Sequence, residues 1–189
     1  MKAIAISGSP RQNGNTDCLC SHSLKAIEEE GIATEIIGMA EMEIKPCNAC
    51  YICKKEETCP IEDDLWTLYE RMKAADAIIL ASPVYFGSAT ARMKALMERA
   101  GYIAHFNGRP FAGKVGGPLV VARRAGKNFT FAQLTFWFQI MGFNIPGSTY
   151  WNVAFGSHEE GSVERDEEGM RTAWNFGKNI AFLMNKLDA

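Results

Sequence analysis

Cys47, Cys50, Cys53 and Cys59, with Pro60 directly after, are the residues whose type and spacing point most sharply to chemistry. They fall in a stretch without helical or strand periodicity, where a backbone can curl around a ligand. Four thiolates this close in sequence can surround one soft metal centre. The Cys-x2-Cys-x2-Cys run is the ferredoxin-type spacing for a four-iron cluster, and Cys59 is near enough to take the fourth corner. Zinc also accepts four cysteines but prefers two separated Cys-x2-Cys pairs. Cys50 and Cys53 alone would suffice for a dithiol–disulfide couple. We rank the four-iron reading first, redox or structural thiols second and zinc third. Cys18 and Cys20 are two apart in a helical pattern, so they share no helix face and read as core or boundary residues.

A second group is Ser7-Gly8-Ser9-Pro10-Arg11-Gln12-Asn13-Gly14-Asn15-Thr16, which follows the apolar run Ala3–Ile6 and precedes a helical pattern. A polar loop between a strand and a helix N-terminus is a natural phosphate site, because the first-turn N–H groups are unpaired and the helix dipole is positive there. Ser7, Ser9, Asn13, Asn15 and Thr16 add short donors, and Arg11 adds a planar fork suited to phosphate. The loop lacks the Lys-Ser/Thr ending of a triphosphate P-loop and the Gly-x-Gly-x-x-Gly of a dinucleotide site. The competing reading is an ordinary loop rich in turn formers.

The elements that must position these groups alternate. Strands are expected at Met1–Ile6, Thr34–Gly38, Asp76–Ser82, Lys114–Val121 and Ser148–Val153. Helices are expected at Thr16–Glu30, closed by Gly31, from a cap at Asp63 or Asp64 to Ala74 or Ala75, and at Ala89–Tyr102, Phe129–Met141 and Glu167–Leu187. Met39–Glu62 is irregular, and Gly156–Arg165 is a polar loop. This alternation implies an α/β fold: a doubly wound, five-stranded parallel sheet of flavodoxin-like order 2-1-3-4-5 between two helical layers. The whole chain reads as one domain with a Cys-rich insertion at about 43–62. In such a sheet, ligands bind beyond the carboxyl ends of the strands. That rule gathers Ser7–Thr16, Pro83-Val84-Tyr85-Phe86-Gly87-Ser88 and Ala122-Arg123-Arg124-Ala125-Gly126 at one edge. Together they describe a site for a phosphorylated planar cofactor, the aromatic pair flanking a flat ring and the arginines near it.

Composition narrows the classes. The chain has 189 residues, a net charge of −2 and no basic stripe, which argues against a nucleic-acid partner. No acid or base occurs from Asn128 to Ser157, yet Gly142, Pro146, Gly147 and Gly156 interrupt that stretch, so no membrane span is expected. No export signal is expected at the N-terminus, so the compartment reads as cytoplasmic and reducing, and the six cysteines do not read as a disulfide framework. His22, His105 and His158 are scattered and read as surface or helix residues, and no triad or carboxylate pair suggests hydrolysis.

Ser7–Arg11 with Gly14-Asn15-Thr16, then Pro83–Ser88 with Lys94, then the compact cysteine run, resemble the iron–sulfur flavoproteins. These sit within the wider NADPH-dependent FMN reductase group of flavodoxin-like proteins, and the resemblance extends from Met1 to about Asn152. It implies FMN, with Ser9, Arg11, Asn13, Asn15 and Thr16 on the phosphate. Pro83, Val84, Tyr85, Phe86, Gly87 and Ser88 would run along the ribityl chain and ring, and Ala122, Arg123 and Gly126 would approach the ring. Cys47, Cys50, Cys53 and Cys59 would ligate a [4Fe-4S] cluster. No catalytic side chain is assigned.

The function expected is an FMN-dependent electron-transfer flavoprotein. Its electrons would come from a ferredoxin-like donor or NAD(P)H and pass to a small acceptor such as oxygen, peroxide or a quinone. A cluster-free NAD(P)H:FMN or quinone reductase is the alternative, with a redox-sensing binding module ranked below it. Phe129–Met141 carries Phe129, Phe131, Leu134, Phe136, Trp137, Phe138, Ile140 and Met141, which read as apolar all round. Such a helix is covered on more than one side, so a homodimer is expected; the resemblance suggests a homotetramer.

Overall fold

The computed structural model describes residues 1–187. Five parallel strands, β1 (Lys2–Ser7), β2 (Ala33–Gly38), β3 (Ala77–Pro83), β4 (Val115–Ala122) and β5 (Val153–Phe155), stand in the order β2-β1-β3-β4-β5. The helices are α1 (Asn15–Glu28), α2 (Leu65–Ala74), α3 (Ala91–Phe106), α4 (Lys127–Met141) and α5 (Glu167–Leu187). Short 3₁₀ turns occupy Ile52–Lys54 and Ser162–Arg165. The fold is the expected flavodoxin-like sheet with helices on both faces.

Strand side chains alternate between the two faces. Ile4, Ile6, Ile78, Leu80 and Val120 pack with α2, α3 and α4. Ala3, Ala5, Ala77, Ile79 and Ala81 pack with α1 and α5. The second face is built of smaller residues, so its helices come close. A Cβ on Gly177 of α5 would lie 2.2 Å from the Ser23 carbonyl of α1. Near the switch in strand order, the Thr90 hydroxyl donates to the Gly8 carbonyl at 2.7 Å and receives the Met93 N–H, so it caps α3 and ties it to the first loop.

Two expectations change, while the cap at Asp63 or Asp64 and the apolar faces of α4 are as expected. The last strand is Val153–Phe155 rather than Ser148–Val153. Tyr150 and Trp151 suit a strand by type, but their rings pack on each other outside the sheet and pairing begins only past them. Helix α3 runs on to Phe106 instead of ending at Tyr102, because Gly101 is not a terminator: it makes room for Trp137, whose Nε1 would lie 3.0 Å from a Cβ there. Leu65 opens α2 with its N–H on Asp63 Oδ1, while Asp64 Oδ2 accepts from Glu43 N. Helix α4 is apolar on more than one side, as its sequence reads. Thr130, Leu134, Trp137, Phe138 and Met141 form one buried stripe, and Phe129, Phe136 and Ile140 project outward at 79%, 66% and 59% exposure. No helix among the described residues is long and apolar enough to cross a membrane.

Candidate functional site: a phosphate cleft and a cysteine pocket

The loop after β1 is ordered by its own hydroxyls. Ser7 is buried and donates to the Asp17 carboxylate, and Ser9 Oγ accepts from Arg11 N and donates to Arg11 O, both at 3.1 Å. Asn13 takes a left-handed conformation, a reversal that asparagine tolerates. Gly14 is the N-cap of α1 and offers no side chain to its first turn, which leaves those N–H groups for an anion.

An open cleft of about 640 Å³ lies against this helix start. Ser9, Arg11, Gly14, Asn15 and Thr16 line it, with Pro83, Val84 and Tyr85 from the second loop and Ala122 and Arg123 from the third. Three expected groups of residues therefore meet at one edge, and no carboxylate lines the space they enclose. Asn13, Phe86, Gly87, Ser88 and Gly126 lie outside the lining. Ser88 Oγ donates to Gln133 Oε1 at 3.0 Å, which anchors the second loop to α4. Phe86, fully exposed in a left-handed conformation, and Gly87 form the tip of the tight turn from Tyr85 to Ser88. Gly126, at a positive φ, lets the third loop touch the second: a Cβ there would lie 2.8 Å from Val84.

A fourth loop also lines the cleft through Gly156, Ser157 and His158; the sequence marks it as polar but carries no motif that assigns it to the site. The Asn15 side chain holds this loop. Its Nδ2 donates to the carbonyls of Ser157 and Glu159 at 3.0 and 2.9 Å, and its Oδ1 accepts from Val163 N at 3.0 Å. The amide expected on a phosphate is thus engaged with protein, and Asn15 offers the cleft its backbone. Arg11 Nη1 donates to the His158 carbonyl at 3.0 Å, which keeps that guanidinium at the rim. A Cβ on Gly156 would lie 2.8 Å from Val121 and 3.0 Å from Asn15.

The four cysteines line one separate pocket, walled by Arg99, Tyr102 and Ile103 of α3. Ala49 and Tyr51, on either side of Cys50, both take left-handed conformations, and a 3₁₀ turn follows, so the chain curls through the motif. Cys50 is exposed and the other three are half-buried; none is paired in a disulfide. Two sulfurs already receive donors: Cys47 Sγ from Ala49 N at 3.4 Å and Cys59 Sγ from Arg99 Nη2 at 3.2 Å. Burial, then the neighbouring Cys47 and Cys50, push the Cys53 thiol above its ordinary pKa. No three of the His, Cys, Asp and Glu side chains among the described residues are gathered for a single metal ion. Four thiol side chains lining one pocket are a donor set that suits a soft metal centre.

Side chains from two helices hold the motif. Asn107 Nδ2 donates to the Cys53 carbonyl at 2.8 Å. Tyr69 donates to Glu57, which also pairs with Lys73 at 2.9 Å. The Lys73 hydrogen bond, aided by Tyr69, outweighs burial and keeps the Glu57 carboxyl below its ordinary pKa. At the neck, Arg99 is ion-paired with Asp63, whose Oδ2 also accepts from Lys45 N at 2.8 Å. Burial opposes ionisation at both members of that pair, but their mutual hydrogen bond and neighbouring contacts win: Asp63 is lowered and Arg99 raised.

A phosphate-type helix start at the switch point of a parallel sheet defines a flavodoxin-like protein. Residues 1–158 match the NADPH-dependent FMN reductase family. The chain is 43% identical to an iron-sulfur flavoprotein of Methanocaldococcus jannaschii, with 96% of each covered. It is 35% identical to one of Methanosarcina thermophila, with 95% of this chain and 93% of the relative covered. Among solved structures, RosB with a bound 8-demethyl-8-formylriboflavin-5'-phosphate intermediate superposes at TM-score 0.80 and 20% identity, covering all of this chain and 80% of that one. An archaeal flavodoxin superposes at 0.65 and 15% identity, with both chains fully covered. The chain belongs to the NADPH-dependent FMN reductase family, among its iron–sulfur flavoproteins. It is an FMN-dependent oxidoreductase, and the cation-lined, carboxylate-free cleft suits the FMN phosphate.

Proposed function

We propose that the chain carries two redox centres, FMN in the cleft and a [4Fe-4S] cluster on Cys47, Cys50, Cys53 and Cys59, and passes electrons between partners of unlike stoichiometry. The observation that carries this reading is the single pocket lined by all four cysteines, with backbone and guanidinium donors already aimed at two of the sulfurs. Bound FMN exchanges one or two electrons and a bound cluster one, so the pair can join a hydride donor to a one-electron partner. The residues do the positioning. The first turn of α1 and Arg11 counter the phosphate charge. Tyr85, Ala122 and Arg123 border the rest of the cleft. The donor is a ferredoxin-like protein or NAD(P)H, and the acceptor is oxygen, peroxide or a quinone.

The two pockets share no lining residue. Ile103, in the cysteine pocket, is twelve residues along α3 from Ala91, roughly 18 Å at the helical rise. An oligomer would bring one subunit's cluster nearer another's flavin. The groove between α3 and α4, lined by Tyr102, His105, Phe106, Trp137 and Ile140, with Phe129 and Phe136 exposed on α4, is the face expected to pack in a homodimer or homotetramer.

The test is anaerobic reduction of the parent and of Cys50→Ser, followed by absorbance. NAD(P)H or a reduced ferredoxin should bleach both flavin and broad cluster absorption in the parent, and flavin bands alone in the variant. Identical spectra in the two proteins would favour the cluster-free NAD(P)H:FMN or quinone reductase. No reduction by any of these donors would favour the redox-sensing module.

A further inference from the structure

Arg99 is the only side chain with a full fixed charge among those lining the cysteine pocket, and it is only 2% exposed. It reaches from the middle of α3 to both ends of the cysteine loop. Nη1 donates to the Lys45 carbonyl at 3.1 Å and to Asp63; Nη2 donates to the Ile61 carbonyl at 3.1 Å and to Cys59 Sγ at 3.2 Å. Its Nε–H is buried and has no acceptor. A buried, unanswered N–H is costly, and this one belongs to a side chain that lines the cysteine pocket.

We propose that Arg99 is the residue that sets the reduction potential of the centre held by the four cysteines, raising it through its charge and its N–H···S bond to Cys59. The inference rests on the cluster reading above. Adding one electron makes the centre more negative without making or breaking a bond. A buried cation with a hydrogen bond to a ligand sulfur stabilises that reduced form. The Asp63 side chain, buried against Arg99, offsets part of the effect, since its carboxylate pairs with the guanidinium and is not part of the pocket lining. Arg99 is thus a positioning and tuning residue, and its action differs in sign from that of its partner.

The experiment is a potentiometric titration, followed by electron paramagnetic resonance, of the anaerobically reconstituted full chain and three variants, with iron and sulfide assayed on each. Arg99→Gln should move the midpoint negative, leaving several-fold fewer reduced centres at the parent's midpoint. Arg99→Lys, which keeps the charge and loses the fork, should fall between the two. Asp63→Asn should move the midpoint positive. A purely structural clamp would lower iron content in both Arg99→Gln and Asp63→Asn without moving their midpoints in opposite directions. Midpoints equal to the parent's, or shifting the same way, overturn the proposal. If Arg99→Gln holds no iron, the direction of Asp63→Asn decides. A parent without iron and sulfide overturns the cluster reading and this inference together, whereas a loaded parent with unmoved variants overturns this inference alone.

Discussion

At the scale of single residues, the cysteines divide by environment. Burial, helped by the Glu164 carboxylate, pushes the Cys18 thiol up to about 11, and the wholly buried Cys20 is pushed further up. Cys50 is exposed. The reactive species is the thiolate, so a rise of two units cuts reactivity near pH 8 by about 100-fold. In metal-free protein, iodoacetamide with mass spectrometry should label Cys50 first, Cys18 far later and Cys20 only on unfolding; early labelling of Cys18 would contradict its environment. Asn15 gives a second test. Asn15→Ala removes the contacts that hold Ser157–Val163 and should weaken FMN retention by about 10-fold, on the order of 1.4 kcal/mol, measured by fluorescence titration of apoprotein. An unchanged affinity would show that the fourth loop holds itself. The four cysteines were legible in the sequence because type and spacing alone carry their chemistry. Arg99 was not, since a lone arginine in a helix ordinarily reads as solvated. Its signal was positional: Leu96, Arg99 and Ile103 are spaced three and four apart, on the inward stripe of α3.

At the scale of elements, the sheet was legible because its buried parallel strands are short apolar runs and the crossover helices alternate with them. What escaped was the edge. Strand β5 has only three residues, too few for a pattern, and the aromatic pair before it imitates a strand. The polar loop carrying Gly156, Ser157 and His158 was legible, but not its place as one wall of the cleft. The close crossing of α1 and α5 was also hidden, because it depends on a helical glycine that ordinarily reads as a weakness. Gly177→Ala puts a methyl 2.2 Å from the Ser23 carbonyl. It should cost about 1–3 kcal/mol and lower Tm by several degrees in a thermal melt with cofactor content unchanged. A Tm equal to the parent's would mean that the two helices part without penalty.

At the scale of the whole molecule, the two sites lie on different parts of one chain, and Phe129, Phe136 and Ile140 of α4 face outward beside the groove that borders the cysteine pocket through Tyr102. Phe136→Glu should shift the sedimenting species at micromolar concentration toward monomer and slow electron passage between the two centres, leaving each centre's own content intact. A parent that sediments as a monomer would contradict that arrangement. The central claim is that two centres reside in each chain. The most direct measurement is an absorption spectrum of protein purified without oxygen, with FMN, iron and acid-labile sulfide determined on the same sample. The account predicts flavin bands on a broad brown background with about four iron per chain. Flavin bands alone, unchanged after anaerobic reconstitution with iron and sulfide, would contradict it.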